Sequence, residues 1–279
     1  MDVQAYLAES AQRVDAALER LLPPAGAPPR GLHAAMRHLV FPGGKRLRPA
    51  LAFAAAEAVG GQPEHALPLA AAVELVHTYS LVHDDLPCMD DDDERRGRPT
   101  VHVAYGEATA VLAGDALLAA AFETLAQAPG DAARTVAALR ELAHAAGAAQ
   151  LVGGQADDLD FDPARVDEAW VDSVHRRKTA ALFAAAVGGG ARLAGAGEPE
   201  LERLRRFALA TGVAFQIADD VLDDEPGAGE CSLVALIGQD AARARAEALL
   251  QDALTALDPF GTRADALRLL ARFAVGRTR

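Results

Sequence analysis

Two aspartate-rich runs stand far apart in this chain, and a fold has to satisfy both. The first reads His83-Asp84-Asp85-Leu86-Pro87-Cys88-Met89-Asp90-Asp91-Asp92-Asp93-Glu94-Arg95-Arg96-Gly97, and the second Gln216-Ile217-Ala218-Asp219-Asp220-Val221-Leu222-Asp223-Asp224. Carboxylates this dense repel one another unless positive charge sits among them. Magnesium suits such a place, because it is a hard cation that takes oxygen ligands and shares them with substrate phosphates. The runs therefore predict two helices that face each other across a phosphorylated ligand.

The rest of the chain predicts helices that can carry such walls. Half of it is hydrophobic (51%), rich in Ala and Leu and poor in aromatic residues (5%), a balance that favours helix over sheet. Leu7, Val14, Leu18 and Leu21 recur on one face of a helix over 2–22. Further helical stretches are expected at 32–40, 49–60, 66–86, 106–127, 131–152, 167–187, 198–224, 231–256 and 262–275. Gly/Pro breaks separate them, at Gly60-Gly61-Gln62-Pro63, Pro129-Gly130, Gly188-Gly189-Gly190 and Gly195 to Pro199. No strand-like alternation, repeat or long linker stands out, so the expected fold is a single all-α domain over residues 1–279.

Charge and cysteine content narrow the setting. A formal charge of −13 argues against a nucleic-acid partner, which needs a basic face. Cys88 and Cys231 are the only cysteines, which points to a reducing, cytoplasmic location. The N-terminus shows no signal-peptide pattern, and no uncharged run long enough for a membrane span is expected.

Within the first run, His77 and Asp84 are seven apart and share a helix face, with Ser80 between them. Asp84 and Asp90, six apart, do not share a face on a straight helix. Pro87 resolves this: it lacks a backbone donor and biases Leu86 away from helix, so the chain loosens and Asp90 folds back toward Asp84. Asp91 to Glu94 are expected to be solvated or paired with Arg95 and Arg96, whose planar guanidiniums suit phosphate oxygens. A solvated helix end is the plain alternative, and a calcium loop lacks its central glycine. In the second run Asp219 and Asp223 are four apart and project from one face, with Phe215-Gln216 a turn earlier. Only two lysines occur, Lys45 and Lys178, among 27 basic residues. Gly43-Gly44 before Lys45 would let backbone approach a phosphate, and an ammonium makes a point-charge contact that guanidinium does not reproduce.

Taken in order, GGKRLRP at 43–49, HTYSLVHDDLPCMDDDDERRGRPT at 77–100, GDALL at 114–118, GGQADDLD at 153–160, HRRKTAAL at 175–182 and FQIADDVLD at 215–223 resemble the trans-isoprenyl diphosphate synthases (polyprenyl synthetases), most closely the bacterial farnesyl diphosphate synthases. The resemblance implies a bundle of mostly antiparallel helices around a deep central cavity, and a homodimer. It implies that Asp84, Asp85 and Asp90 on one wall and Asp219, Asp220 and Asp223 on the other hold magnesium, about three ions once an allylic diphosphate is bound. Asp84, Asp90 and Asp219 are the expected direct ligands. Arg95, Lys178 and Gln216 would contact the allylic diphosphate, Thr179 would face its reacting carbon, and Lys45, Arg48, His77 and Arg96 would bind isopentenyl diphosphate. Tyr79, about 7.5 Å deeper than Asp84 along the helix, would with Ser80 set the chain length at farnesyl. Geranylgeranyl or geranyl diphosphate synthase is the near alternative. A terpene cyclase and a non-catalytic partner subunit are the distant ones; a cyclase would not need Lys45, Arg48, His77 and Arg96 together. The chain departs from the family after Asp223, where 224–232 contain no lysine and Glu230 stands where a lysine is expected.

Overall fold

A computed structural model describes residues 2–162, 164–222 and 231–276. Among them the chain is almost wholly helical. It opens with α1 (Val3–Leu21), capped by the Asp2 carboxylate, then α2 (Arg30–Val40), α3 (Leu47–Ala58) and a short 3-10 turn (Pro63–Ala66) leading into α4 (Leu67–Asp84). A small hairpin of β1 (Glu94–Arg95) and β2 (Arg98–Pro99) follows, then α5 (Val101–Tyr105), α6 (Glu107–Ala126), α7 (Ala132–Ala146) and α8 (Leu151–Leu159). The second half holds α9 (Glu168–His175), a single π turn (Arg176–Ala180), α10 (Ala181–Leu193), α11 (Glu198–Leu222), α12 (Leu233–Ile237), α13 (Gln239–Ala256), a 3-10 segment (Asp258–Ala264) and α14 (Asp265–Val275).

The helix α4 is apolar around almost its whole circumference, from Leu69 to Val82, and a helix with no polar face belongs inside. It packs against α6, α3 and α10, and with α1, α2 and α7 they bury the largest core cluster. A second cluster joins α3, α10, α11, α13 and α14, and a third lies where α9, α11, α12 and α13 meet. The helix α6 is long and apolar enough to cross a membrane by length and composition alone. Here it packs along α4 and α2 and carries Glu107, Asp115 and Glu123.

Four sequence expectations change. The stretch 131–152 is not one helix, because the chain breaks at Gly147 and restarts at Leu151 as α8. Gly238, at φ 81°, likewise divides 231–256 into α12 and α13. Gly188-Gly189-Gly190 breaks nothing: α10 runs through it to Leu193. Those glycines allow close packing, since a Cβ on Gly190 would lie 2.5 Å from the Ala52 carbonyl oxygen of α3 and one on Gly189 2.7 Å from Leu69 of α4. The β1–β2 hairpin was not expected. Its two-residue turn has Arg96 at φ 58° and Gly97 at φ 73°, the positive-φ pair that matches strand twist. Arg98 holds it in place by donating to the carbonyls of His38 (2.9 Å) and Phe41 (2.8 Å).

Candidate active site

The first acidic wall forms where α4 stops. Beyond Asp84 the helix unwinds through Asp85 and Leu86, and the Asp90 amide donates back to the Asp84 carbonyl at 2.8 Å. The fold-back expected from Pro87 is thus present in the backbone. Asp91, at φ 57°, turns the chain on toward the hairpin. The second wall needs no such device, because α11 continues unbroken through Asp219 and Asp220 to Leu222. Asp223 lies outside the described residues.

Two adjoining hollows of about 430 and 460 Å³ lie between the walls and share Lys178, Thr179 and Gln216. Asp90, Asp92, Asp158 and Asp220 line the first. Asp84 and Asp219 line the second together, with Arg48, His77, Arg95 and Arg96. Residues from α3, α4, the hairpin, the π turn and α11 therefore meet at one place.

The charges there explain one another. Burial and the nearby Asp90 push the Asp84 carboxyl up to about 7, against the pull of Lys178. Burial works against the charge of Lys178, but Asp158, Asp84 and Asp90 around it hold its ammonium above the usual lysine range. Lys178 donates directly to Asp158. Removal from water, with Arg48, Arg96 and Arg95 facing it, holds His77 well below the ordinary imidazole range, so this histidine is neutral. Arg95 is fixed from behind: its Nε donates to the buried Asp85 at 2.5 Å and its Nη2 to Asp92 at 2.8 Å.

The π turn presents the other key side chains, and such local widenings of a helix recur at functional sites. Thr179 Oγ1 donates to Gln216 Oε1 at 2.8 Å, and Gln216 Nε2 donates to Asp220 Oδ1 at 3.1 Å. Carboxylate oxygens on facing walls, with Asp84 held up to about 7 chiefly by burial, are the donor set a hard divalent cation takes. Among the described residues no three Asp, Glu, His or Cys side chains close around an ion by themselves.

Some expected residues stand elsewhere. Asp85 is fully buried against Arg95 and lines neither hollow. Lys45 is exposed, its Nζ 5.9 Å from the centre of the Phe273 ring. Tyr79 is buried in the core cluster around α4, its hydroxyl donating to the Ala146 carbonyl at 3.4 Å and its ring 5.9 Å edge-on from His83. Ser80, next to it, lines the second hollow. The Gly43-Gly44 pair makes room for guanidiniums rather than for a bare backbone cradle: a Cβ at Gly43 would lie 1.9 Å from Arg46 Cζ, and one at Gly44 2.6 Å from Arg96 Nη2. Arg46 itself is buried between Glu74 (2.6 Å), Asp15 and the Val40 carbonyl, and so pins the loop that carries Lys45 to the start of α3, where Arg48 lies.

Asp158 and Gln155 carry site features that their residue types alone did not single out. Both belong to GGQADDLD at 153–160, and their signal is the paired spacing of Asp157-Asp158 against Arg177-Lys178, which the structure joins as two ion pairs. Gln155 lines the second hollow with its amide nitrogen and oxygen both buried and unpartnered.

Comparison with known proteins agrees with this geometry. The polyprenyl synthetase family model matches residues 29–258. The dimethylallyltranstransferase of Fischerella ambigua (strain UTEX 1903) is 43% identical over 289 residues, covering 98% of this chain and 83% of that protein. The chloroplastic geranylgeranyl pyrophosphate synthase 7 of Arabidopsis thaliana is 41% identical over 294 residues, covering 99% and 84%. The solved structure of an FPP/GFPP synthase from Zymomonas mobilis superposes with a TM-score of 0.92 at 40% identity, covering 98% of each chain. Opposed aspartate walls, a basic second hollow and a match along most of the length lead to one assignment: this chain belongs to the polyprenyl synthetase family of prenyltransferases.

Proposed function

We propose that the chain joins isopentenyl diphosphate to dimethylallyl and then geranyl diphosphate, releasing farnesyl diphosphate. One observation carries this reading: Asp84 and Asp219, from opposite walls, line the same hollow as Arg48, His77, Arg95, Arg96 and Lys178. One side of that space suits a diphosphate that departs, and the other suits a diphosphate that only anchors. A terpene cyclase has a use for the first alone.

Asp84, Asp90 and Asp219 would hold magnesium, which when bound would offset the negative charge that builds on the leaving diphosphate. Lys178 and Arg95 face the same oxygens and take up part of that charge directly, with no reorganisation during the reaction. The oxygens of Thr179 and Gln216 stand beside the carbon that becomes electron-deficient. The aliphatic and aromatic side chains of Leu81, Leu151, Leu182 and Phe215 keep water from it. Arg48, the neutral His77 and Arg96 hold isopentenyl diphosphate so that its double bond meets that carbon. The proton lost afterwards goes to the released diphosphate.

The farnesyl length follows from Tyr79, whose bulk below Asp84 would limit the growing tail; geranylgeranyl diphosphate is the competing product. The homodimer is proposed from Val103, Val111, Leu112 and Val136, apolar side chains left exposed on α5, α6 and α7, which pack on one another. The deciding experiment is incubation with labelled isopentenyl diphosphate, magnesium and each allylic primer in turn, followed by chromatography. Consumption of isopentenyl diphosphate supports the coupling reaction, and its absence with every primer removes it. The carbon count of the product settles the length.

A further inference from the structure

Asp219 and Asp220 are adjacent on α11, so their side chains leave the helix about 100° apart. Asp219 lines the hollow shared with Asp84. Asp220 is buried, and both of its oxygens are engaged by this chain. Its Oδ1 accepts from Gln216 Nε2 at 3.1 Å, and its Oδ2 accepts from the Leu233 amide, at the start of α12, at 3.1 Å. The buried His175 places Nε2 3.4 Å from that same Oδ2.

This arrangement fixes a direction. A carboxylate only accepts, so Gln216 must turn its amino group to Asp220 and its carbonyl oxygen away. That oxygen accepts the Thr179 hydroxyl proton at 2.8 Å. With its one proton committed there, Thr179 presents lone pairs to the hollow. An oxygen dipole aimed in this way stabilises a nearby positive centre without bonding to it.

We propose that Asp220 is a positioning residue and not a direct cation ligand: through Gln216 it sets the hydrogen-bond polarity that turns oxygen lone pairs of Thr179 toward the reacting carbon, and it ties that polarity to the start of α12. The proposal rests on the prenyl-transfer reading above. Asparagine at 220 removes the constraint, because its amide can donate. Gln216 can then invert, and Thr179 is free to aim its proton at the developing positive charge.

The test compares Asp220→Asn with Asp219→Asn. Asp220→Asn is expected to lower kcat by about 10²-fold while the magnesium concentration at half-maximal rate and the KM for geranyl diphosphate stay within about threefold. Calorimetric binding of the unreactive thiolo analogue of geranyl diphosphate in magnesium is expected to match the wild-type chain. Asp219→Asn is expected to weaken that binding and raise the magnesium requirement by about tenfold or more. Gln216→Leu cuts the same chain with Asp220 intact, so the double variant Asp220→Asn/Gln216→Leu should be no slower than the worse single variant. If Asp220→Asn does not fold, Asp220→Ser combined with Gln216→Leu asks the same question. Losses that multiply in either pair, or an Asp220→Asn that needs more magnesium and binds the analogue weakly, would overturn the positioning role alone. A wild-type chain that incorporates no isopentenyl diphosphate would overturn the prenyl-transfer reading and this proposal with it.

Discussion

The two acidic walls are chemically alike and built in opposite ways. On α11 the helix continues, and the spacing of the motif places the side chains. At the end of α4 the helix has to be broken before Asp90 can join Asp84, and the backbone bond between them holds the break. The walls also differ in what stands behind them. Asp220 is held by Gln216 and Leu233, both on its own side of the hollows. Asp85 is held by Arg95, which arrives on the hairpin. One wall is fixed by helix geometry, and the other by a turn plus a strand pair.

The largest test of this contrast removes one carboxylate from each wall. Asp84→Asn and Asp219→Asn should each lower kcat by about 10²–10³-fold, the range seen when a single electrostatic stabiliser is lost. Circular dichroism should show both variants folded, since both carboxylates line the open hollow. If one substitution is nearly silent, the site works from one wall, and the symmetry between them is only compositional.

Pro87→Ala tests how the first wall is made. Without the proline the last turn of α4 can continue, and Asp90 would leave Asp84. We expect a loss of about tenfold in kcat/KM, which corresponds to about 1.4 kcal/mol of transition-state stabilisation, with a higher magnesium requirement. Unchanged steady-state kinetics would mean that the Asp90–Asp84 backbone bond and the Asp91 turn are enough to break the helix.

These differences mirror what the residues made legible. Period and spacing revealed α4 and α11, both acidic motifs and the fold-back at Pro87, because each is a local consequence of helix geometry. The hairpin leaves no such signal, because strands of two residues have no period to read, yet it is what delivers Arg95 and Arg96. The π turn at 176–180 was equally silent, since widening a helix by one residue leaves no compositional mark. Glycine ran in the other direction. Gly188-Gly189-Gly190 and Gly43-Gly44 looked like backbone breaks or cradles, and instead give space to neighbouring helices and to guanidiniums. Pairings between distant segments, such as Asp158 with Lys178, become visible only once the fold supplies them.

Tyr79→Ala sharpens the comparison on the first wall, because the aromatic one turn before Asp219, Phe215, lines the second hollow, whereas Tyr79 is buried in the core cluster around α4. Tyr79 sits about one and a half turns below Asp84, with its hydroxyl on the Ala146 carbonyl at the end of α7. Removing the ring should open space beneath the second hollow, where Ser80 is already exposed to the cavity. The expected product is at least one isoprene unit longer. The cost in stability should be about 3 kcal/mol, typical of an aromatic removed from a core, and is read by denaturant unfolding. Tyr79→Phe keeps the ring and should keep the product. An unchanged carbon count in Tyr79→Ala would place the floor of the cavity on another element.

The smallest expected effect isolates the outer support of Arg95. Its guanidinium has two carboxylate partners, the fully buried Asp85 at 2.5 Å and the exposed Asp92 at 2.8 Å. The desolvated partner is the one that should matter, because an exposed ion pair contributes about 0.2–1 kcal/mol. Asp92→Ala should therefore raise the KM for the allylic diphosphate by about twofold, in line with that range, and leave kcat alone. Asp85→Ala removes the partner that no water can replace, and should disturb both constants. Equal losses from the two substitutions would mean that Arg95 is steered by net charge around the loop, and that the buried contact has no special hold on it.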